Sequence, residues 1–562
     1  MSRFQLLKDA TTINDIASLL NYKAKTLSYI LYVLSKQDDY YTSFEVPKKN
    51  GGVRLIQAPN KKLKQVQTNL SGLLNECVNE IIEKEPKYFY ASHGFLADKT
   101  IITNANKHKK KRYVFNVDIE NFFGSINFGR VMGFFMNDRH FRLDKKVATI
   151  IAQIACHENA LPQGSPCSPI ISNLIGNIID IRLITLAKKH KCTYTRYADD
   201  ITFSTNVKQF PTSIAKKRDE TWEVGTKLSR EIQKLGFNIN EKKTRMSFNN
   251  SQQMVTGIVV NKKINFSQAY YRELRSQCHN LFKNGSYHVN NEVCSNLNKL
   301  QGKLAYLYFI QNNKKNIKID KNEEANFGSG LNKLYRKFLF YKYFVASEKP
   351  VIVTEGATDI GHLKLAIDAL DEKDMNLKFF NPSKTGIKLL NLGEGTGGQN
   401  KLIFNYRSMM NKLGKNMPAP FSPVILLCDN DEGASDIFKT INNKKNKFSC
   451  EISLSTTDPF YKLCHNLYLI KVPESKGAET SIEDLYEETV LDTKLGEKTF
   501  NKTNKKLGDN EYGKQYFLDY VVRKNKNSID FSGFTPLLDR IKLCISNWES
   551  QEKSSHNSTN SH

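Results

Sequence analysis

The 562-residue sequence predicts an α+β half followed by an α/β half. Two observations predict the first half. Tyr113-Val114-Phe115-Asn116-Val117-Asp118-Ile119 reads as a strand ending near one acid. Residues 192–204 read as two strands meeting at Tyr197-Ala198-Asp199-Asp200, with β-branched and aromatic residues on both flanks. A third observation predicts the second half. Val351-Ile352-Val353 and residues 424–428 are continuous apolar runs, closing on Glu355-Gly356 and on Asp429-Asn430-Asp431. Such runs suit a parallel sheet covered on both faces. Acids at the carboxyl ends of its strands sit in the crevice where α/β folds bind ligands.

The elements follow in chain order. Residues 10–37 read as short helices, with Thr12 or Asn14 as an N-cap. Residues 44–56 read as a hairpin turning at Gly51-Gly52 and carrying Arg54, and residues 60–85 as an amphipathic helix. Lys107-His108-Lys109-Lys110-Lys111-Arg112 is the densest basic run, a phosphate contact or a solvated loop. A Gly/Pro-rich loop, 161–169, contains Gln163-Gly164 and opens an apolar segment. A turn at Gly236 precedes Glu241-Lys242-Lys243-Thr244, and residues 268–310 are helical and basic. The Asn/Lys/Gly-rich stretch 311–330 reads as a connector. The Gly-rich loop 393–398 reads as a phosphate approach or a flexible turn. Ser481-Ile482-Glu483-Asp484-Leu485 is open between a further acidic motif and a helix start capped by Ser481. The polar tail 551–562 is expected to be disordered.

Charge narrows the function. The net charge of +26 is a solubility cost unless a polyanion is the partner. Ten widely spaced cysteines with no Cys-x-x-Cys pair argue against a zinc ribbon and for reduced thiols in a cytoplasmic protein. No signal peptide and no apolar run of membrane-spanning length is expected, hence no membrane. Adjacent carboxylates at a strand tip repel unless a divalent cation lies between them. Asp118, Asp199 and Asp200, on two strands, suit a two-metal nucleotidyl-transfer site.

The order of an acidic strand, a Gln-Gly loop, Tyr-x-Asp-Asp and a later Lys resembles the reverse transcriptases. Ser92-His93-Gly94-Phe95 resembles a fingers motif of that class. Asn104-Ala105-Asn106-Lys107-His108 and Val255-Thr256-Gly257 resemble two signatures of the retron branch, a likeness covering roughly residues 10–310. Glu355-Gly356 followed by Asp429-x-Asp431 resembles the Toprim domain. The whole chain resembles a retron reverse transcriptase with a fused C-terminal Toprim domain. This resemblance implies an α+β right-hand polymerase (fingers, palm, thumb) followed by an α/β Toprim domain. Fingers and palm are expected over 1–240, the end of the palm and thumb over 241–312, a connector over 313–348, and Toprim over 349–550.

The resemblance also implies roles. Asp118, Asp199 and Asp200 are implied to catalyse and to hold Mg²⁺. Gln163, Gly164, Arg54 and Lys243 are implied to contact the nucleotide. Phe123 is the candidate steric gate against ribose, with core packing as its alternative and Phe122 adjacent. Asn104, His108, Lys109, Lys110, Lys111, Arg112, Val255, Thr256 and Gly257 are implied RNA contacts. In the Toprim half, Glu355 is implied to handle a proton, and Asp429, Asp431 and Glu483 to bind Mg²⁺. The implied partners are deoxynucleoside triphosphates, a structured non-coding RNA and its cDNA (branched RNA–DNA, msDNA), with a homo-oligomer or higher-order assembly left open. The implied activity is RNA-directed DNA synthesis with a nuclease effector in anti-phage defence. The alternative is a nucleic-acid-binding scaffold whose RNA–DNA product restrains a toxic Toprim effector.

Overall fold

The computed structural model describes residues 1–37, 39–48, 51–219, 221–312, 329–392, 395–414, 417–474, 479–503 and 507–559. The chain clusters into two compact units. The first holds Met1–Ser267 and Ile310–Asn313, the second Gln268–Phe309 and the chain from Lys314 onward. The helices Gln268–Asn284 and Leu297–Asn312, expected as a thumb, therefore cluster mostly with the second unit.

The first unit opens on three short helices. Thr12, not Asn14, caps the second: its hydroxyl accepts from the Asp15 N–H, and the Asp15 carboxylate accepts from the Thr12 N–H in return. β1 (Tyr41–Pro47) and β2 (Val53–Pro59) form the expected hairpin, with positive φ at both Gly51 and Gly52. The helix Lys61–Lys84 starts where the Asn60 side chain accepts from the Leu63 N–H. It buries Leu63, Val66, Leu70, Leu73, Leu74, Cys77, Val78 and Ile81, the three-and-four spacing of one helix face.

β3 (Tyr113–Glu120) lies inside a four-stranded antiparallel sheet. Its companions are β4 (Thr193–Tyr197) and β5 (Asp200–Thr205) on one side. After a small hairpin of β6 (Ala215–Arg218) and β7 (Thr221–Val224), β8 (Asn238–Phe248) pairs with the other side of β3. Phe115, Val117, Ile119, Ile201 and Phe203 share one core with Ile171, Leu174 and Ile175 of the helix Ser168–Lys189. That helix corrects the expectation of no membrane-length apolar run. Its 22 residues pass by length and composition, but 72% of the apolar window is buried inside the fold. Asn173, Asn177, Asp180 and Arg182 break up the run in the sequence and hid it. β9 (Met254–Val255) and β10 (Ile258–Val259) close on Thr256-Gly257, with φ of +46° and +80°. A two-residue hairpin of this kind needs both signs positive, which favours glycine at the second position.

In the second unit a hairpin of β11 (Tyr287–Val289) and β12 (Glu292–Cys294) lies between the two basic helices. A five-stranded sheet follows, built from β13 (Val351–Val353), β14 (Lys378–Phe379), β15 (Val424–Cys428), β16 (Tyr461–Cys464) and β17 (Leu467–Lys471). The order is β14-β13-β15-β17-β16, parallel except for β16 at the edge. β15 is buried along its whole length, as its unbroken apolar run requires. Of the expected connector, residues 313–328 lie outside the described residues. The helix Gly330–Phe340 after them buries Leu331, Tyr335, Phe338, Leu339 and Phe340. Gly393 and Glu394 of the Gly-rich loop also lie outside them, and the helix Gly395–Leu413 begins directly after. The closing helix runs Thr535–Thr559, into the tail expected to lack structure.

Candidate active sites

The β3–β5 register sets Asp118 directly opposite Asp200, and the Ile119 N–H donates to the Asp199 carbonyl at 3.0 Å. Three carboxylates thus meet at one end of the sheet. Burial, and then the Asp118 charge, raise the Asp199 carboxyl above its ordinary value. Burial and the Asp199 and Asp118 charges push Asp200 up to about 6. Lys243 on β8 reaches in, with Nζ 3.0 and 2.9 Å from the two Asp118 oxygens. That bond holds the ammonium in its charged form. Lys243 was expected at the nucleotide; here it is the counter-ion of the Asp118 carboxylate.

Sequence reasoning missed what holds the Tyr-Ala-Asp-Asp turn. Arg196, fully buried, donates through Nε and one terminal nitrogen to the two Asp180 oxygens, both at 2.8 Å, and to the Ala198 carbonyl at 3.2 Å. Ala198 has φ +54°, so the turn is held in a conformation that side chains seldom adopt. The Arg196 guanidinium crosses the helix at Gly176, where a Cβ would stand 2.8 Å from its central carbon. Gly94 backs the turn as closely: a Cβ there would meet the Ala198 nitrogen at 2.9 Å. The Ser92–Phe95 motif therefore lines the β4–β5 hairpin, tied by the His93 N–H to the Arg196 carbonyl at 2.8 Å. The available signal was an arginine directly before Tyr197, in a strand otherwise fit for a core.

Three expected RNA contacts are corrected. Asn104 and His108 are buried and cannot touch a ligand on the surface. The His108 ring bonds Ser204 Oγ and Thr195 Oγ1, each at 2.7 Å, and the Thr195 hydroxyl donates to Asn104 Oδ1. The Asn-Ala-x-x-His signature is a polar strut between a short helix and the β4–β5 hairpin. Val255 is likewise fully buried, while Gly257 is exposed and Thr256 half-buried. Lys109, Lys110 and Arg112 are exposed and Lys111 is half-buried.

On the nucleotide side, the Gln163 carbonyl accepts from the Gln57 N–H at 2.8 Å, docking the loop on β2. Gly164 has φ +132°, and a Cβ there would meet the Gln57 carbonyl oxygen at 2.6 Å. Only glycine fits. Arg54 on the same strand is exposed, and its charge acts to lower Asp199. Phe122 is buried against Phe237, whereas Phe123 is half-buried and stands edge-on to Phe95 at 6.2 Å. Of the two rings, only Phe123 retains an exposed face.

A second acidic cluster lies in the second unit. Glu355 follows β13 and Asp429 follows β15, neighbouring parallel strands. Glu355 accepts from the Asp429 N–H, and Asp429 from the Ile482 N–H, both at 3.1 Å. That last bond draws in Glu483, fully buried and paired with Lys514 at 3.0 Å. Burial, then neighbouring acids, push Glu355 up to about 7 and Asp429 up to about 8. Lys514 stays charged because Glu483 and Asp429 outweigh its burial. Ser481 does cap the turn, its N–H and hydroxyl both donating to the Asp484 carboxylate, which is the helix-start reading of this segment. Asp359 and Lys514, which line the same cavity of about 1030 Å³, were missed. Asp359 could have been found as the acid one turn after Glu355. Lys514 had no signal, because only the fold brings it there.

The donor chemistry of both clusters fits a cation. Asp431 Oδ1 and Glu483 Oε1 are buried without a hydrogen-bond partner, and the Asp199 and Asp200 carboxyls are raised by burial and then by neighbouring aspartate charge. Among the described residues no three His, Cys, Asp or Glu side chains are already spaced as a closed metal shell.

Compared with known proteins, residues 46–266 match the family of reverse transcriptases (RNA-dependent DNA polymerases). The retron Ec86 reverse transcriptase of Escherichia coli is 31% identical over 273 residues, 48% of this chain and 78% of that protein. The retron Mx65 reverse transcriptase of Myxococcus xanthus is 31% identical over 284 residues, 48% of this chain and 62% of its own length. A solved apo telomerase from Candida tropicalis, truncated from its C-terminal domain, aligns over 42% of this chain and 56% of its own. Its identity is 15% and its TM-score of 0.28 is too low to bear on the fold. The Ec86 likeness, at 31% identity, extends over more than three quarters of that enzyme: the chain belongs to the retron reverse transcriptases.

Proposed function

We propose that the first unit is an RNA-directed DNA polymerase that copies a dedicated structured RNA into branched RNA–DNA. The observation that carries the reading is the Asp118–Asp200 pairing across β3 and β5, with Asp199 beside it. Members of this family use divalent metal ions, and Mg²⁺ is the ion proposed here, held by Asp118, Asp199 and Asp200. When bound, it supplies charge for the triphosphate and for the attacking hydroxyl. The chain's own part is positioning. A cation held by Asp118 would free Lys243, which pairs with that carboxylate here, to meet a phosphate. Gly164 lets the loop approach β2 closely enough to wall the nucleotide, and Arg54 faces the triphosphate. Phe123 sits under the sugar and leaves no room for a 2′-hydroxyl.

The second unit is proposed as a Toprim-type nuclease effector in anti-phage defence. Glu355, pushed up to about 7, is poised to give or take a proton near neutral pH. Asp429, Asp431 and Glu483 are proposed to hold Mg²⁺ there, and Lys514 faces the same cavity.

Primer extension by purified protein on an RNA template tests the polymerase. Asp199→Asn with Asp200→Asn is expected to abolish synthesis while RNA binding stays within a few-fold; undiminished synthesis removes the assignment. In the same assay Phe123→Ala is expected to incorporate ribonucleotides, and background incorporation with normal deoxynucleotide use passes the gate to another residue.

A further inference from the structure

The cavity of the second unit holds more than its acids. At about 1030 Å³ it reaches the upper end of the range that ligand pockets span, roughly 300–1,000 Å³. Glu355 and Asp429 stand at the ends of β13 and β15. Another wing lies toward β14, the edge strand beyond β13. There Phe380 follows β14, with its N–H on the Ile352 carbonyl at 2.8 Å. Pro382 comes next, Ile387 lies on the helix Lys384–Leu390, Leu392 follows that helix, and Leu402 belongs to the helix Gly395–Leu413. Between positions 380 and 402 the lining carries no charge among the described residues.

Two features of this wing go unused by a cation or a phosphate. The first is apolar surface. Phe380, Pro382, Ile387 and Leu392 are only half-buried, although they share a cavity with carboxylates. The second is an unmet acceptor. Gln399, 2% exposed, lines the same cavity. Its Nε2 donates to the Val353 carbonyl at 3.1 Å and to the Leu427 carbonyl at 2.7 Å. Those two bonds fix the orientation of the amide and leave Oε1 buried with no donor. A buried acceptor is costly to leave unpaired, and a ligand that brings an N–H relieves it.

A nucleobase answers both. Its faces pack on an aromatic ring and an aliphatic wall, and an exocyclic amine at its edge is an N–H donor. Its own phosphate is the group suited to the neighbouring acids, so one nucleotide has a use for both parts of the cavity.

We infer that the β14 wing of this cavity is a nucleobase pocket, in which a base packs on Phe380, Ile387 and Leu402 and donates its exocyclic amine to Gln399. A base held there has left any duplex, so the strand is unpaired at that nucleotide. The inference rests on the nuclease reading above for the phosphate, and base binding is therefore measured apart from cleavage.

Full-length protein is titrated by calorimetry, in Mg²⁺, with three probes: 5′-AMP, purine riboside 5′-phosphate, which lacks only the amine, and ribose 5-phosphate. Ile387→Trp fills the wing and leaves the polymerase site as it is, so a difference from the parent belongs to this pocket. Leu392→Trp fills it from another segment and serves should the first variant not fold. Cutting of a labelled single-stranded RNA in Mg²⁺ is scored separately.

For the parent, 5′-AMP is expected to bind at least about tenfold more tightly than ribose 5-phosphate and about fivefold more tightly than the amine-free nucleotide. In the Trp variants the advantage of 5′-AMP is expected to vanish, with ribose 5-phosphate binding and primer extension within about twofold of the parent. Equal affinity for 5′-AMP and ribose 5-phosphate overturns the inference. An advantage that survives in a folded Trp variant also overturns it, because the base then sits elsewhere. Equal affinity for the two nucleotides overturns the role of Gln399. A parent that cuts no RNA yet shows the expected binding overturns the nuclease reading and leaves the pocket standing, and one that cuts without preferring the base does the reverse.

Discussion

His108 shows how far a residue's neighbourhood overrides its type. In a run of lysines it looks like a surface group. In the fold its ring is sealed beneath the β4–β5 hairpin, and burial, then the charges of His93 and nearby lysines, hold it down to about 3. It is therefore neutral when folded and titrates near its ordinary 6.5 when unfolded. Below that value the unfolded chain gains a proton that the fold refuses. Stability is fully present above 6.5 and is lost as pH falls toward about 3, by roughly 1.4 kcal/mol per pH unit. Trp222 and Trp548 lie one in each unit, so Trp548→Phe leaves a reporter of the first. Its urea midpoint is expected to be lower near pH 5 than near pH 7, with a smaller difference once His108 is Gln. An equal pH difference in that variant would exclude His108 from the linkage.

At the scale of elements, the palm strands were legible because apolar runs ending in acids have few other uses. The hairpin at Gly51-Gly52 and both parallel strands before Glu355 and Asp429 were legible for similar local reasons. What stayed hidden depends on distant partners. Nothing near Arg196 announces Asp180, nothing near Glu483 announces Lys514, and Thr195 and Ser204 do not advertise that they will satisfy an imidazole. The helix Ser168–Lys189 was hidden by polar residues, two of which, Asn173 and Asp180, tie the Tyr-Ala-Asp-Asp hairpin through Arg196. The loop–hairpin contact at Gly164 gives a sharp test. Gly164→Ala puts a Cβ against the Gln57 carbonyl at a φ that disfavours side chains. About 1–3 kcal/mol of strain is expected, read as a rise of roughly tenfold or more in KM for deoxynucleotides with the fold retained. An unchanged KM would show that this loop does not shape the nucleotide pocket.

Across the whole molecule, two acidic clusters sit in two separately clustered units, each with its own sheet and core. Their chemistries are expected to separate. Glu355→Gln or Asp429→Asn should leave cDNA synthesis within about twofold of the parent, because neither touches β3, β5 or β8, yet abolish phage protection. A phage plating assay beside a cDNA gel decides it. Full protection in both variants would leave the second unit without a catalytic part, and lost cDNA would mean that the units act as one.

The Asp180–Arg196 pair under the Tyr-Ala-Asp-Asp turn also constrains how this sequence can drift. Either partner lost alone strands a buried charge, at about 3–5 kcal/mol, whereas joint replacement by apolar residues need not. Gly176 belongs to the same knot, since any side chain there collides with the guanidinium. The three positions form a ratchet: single steps away are penalised, and only coordinated change passes. In a pairwise mutational library, Asp180→Leu with Arg196→Leu should recover folding that either single change destroys, though not the turn geometry that Arg196 gives to Ala198. Stability and catalysis would then part company at a single pair of residues. Additive losses would show that the charges are not coupled.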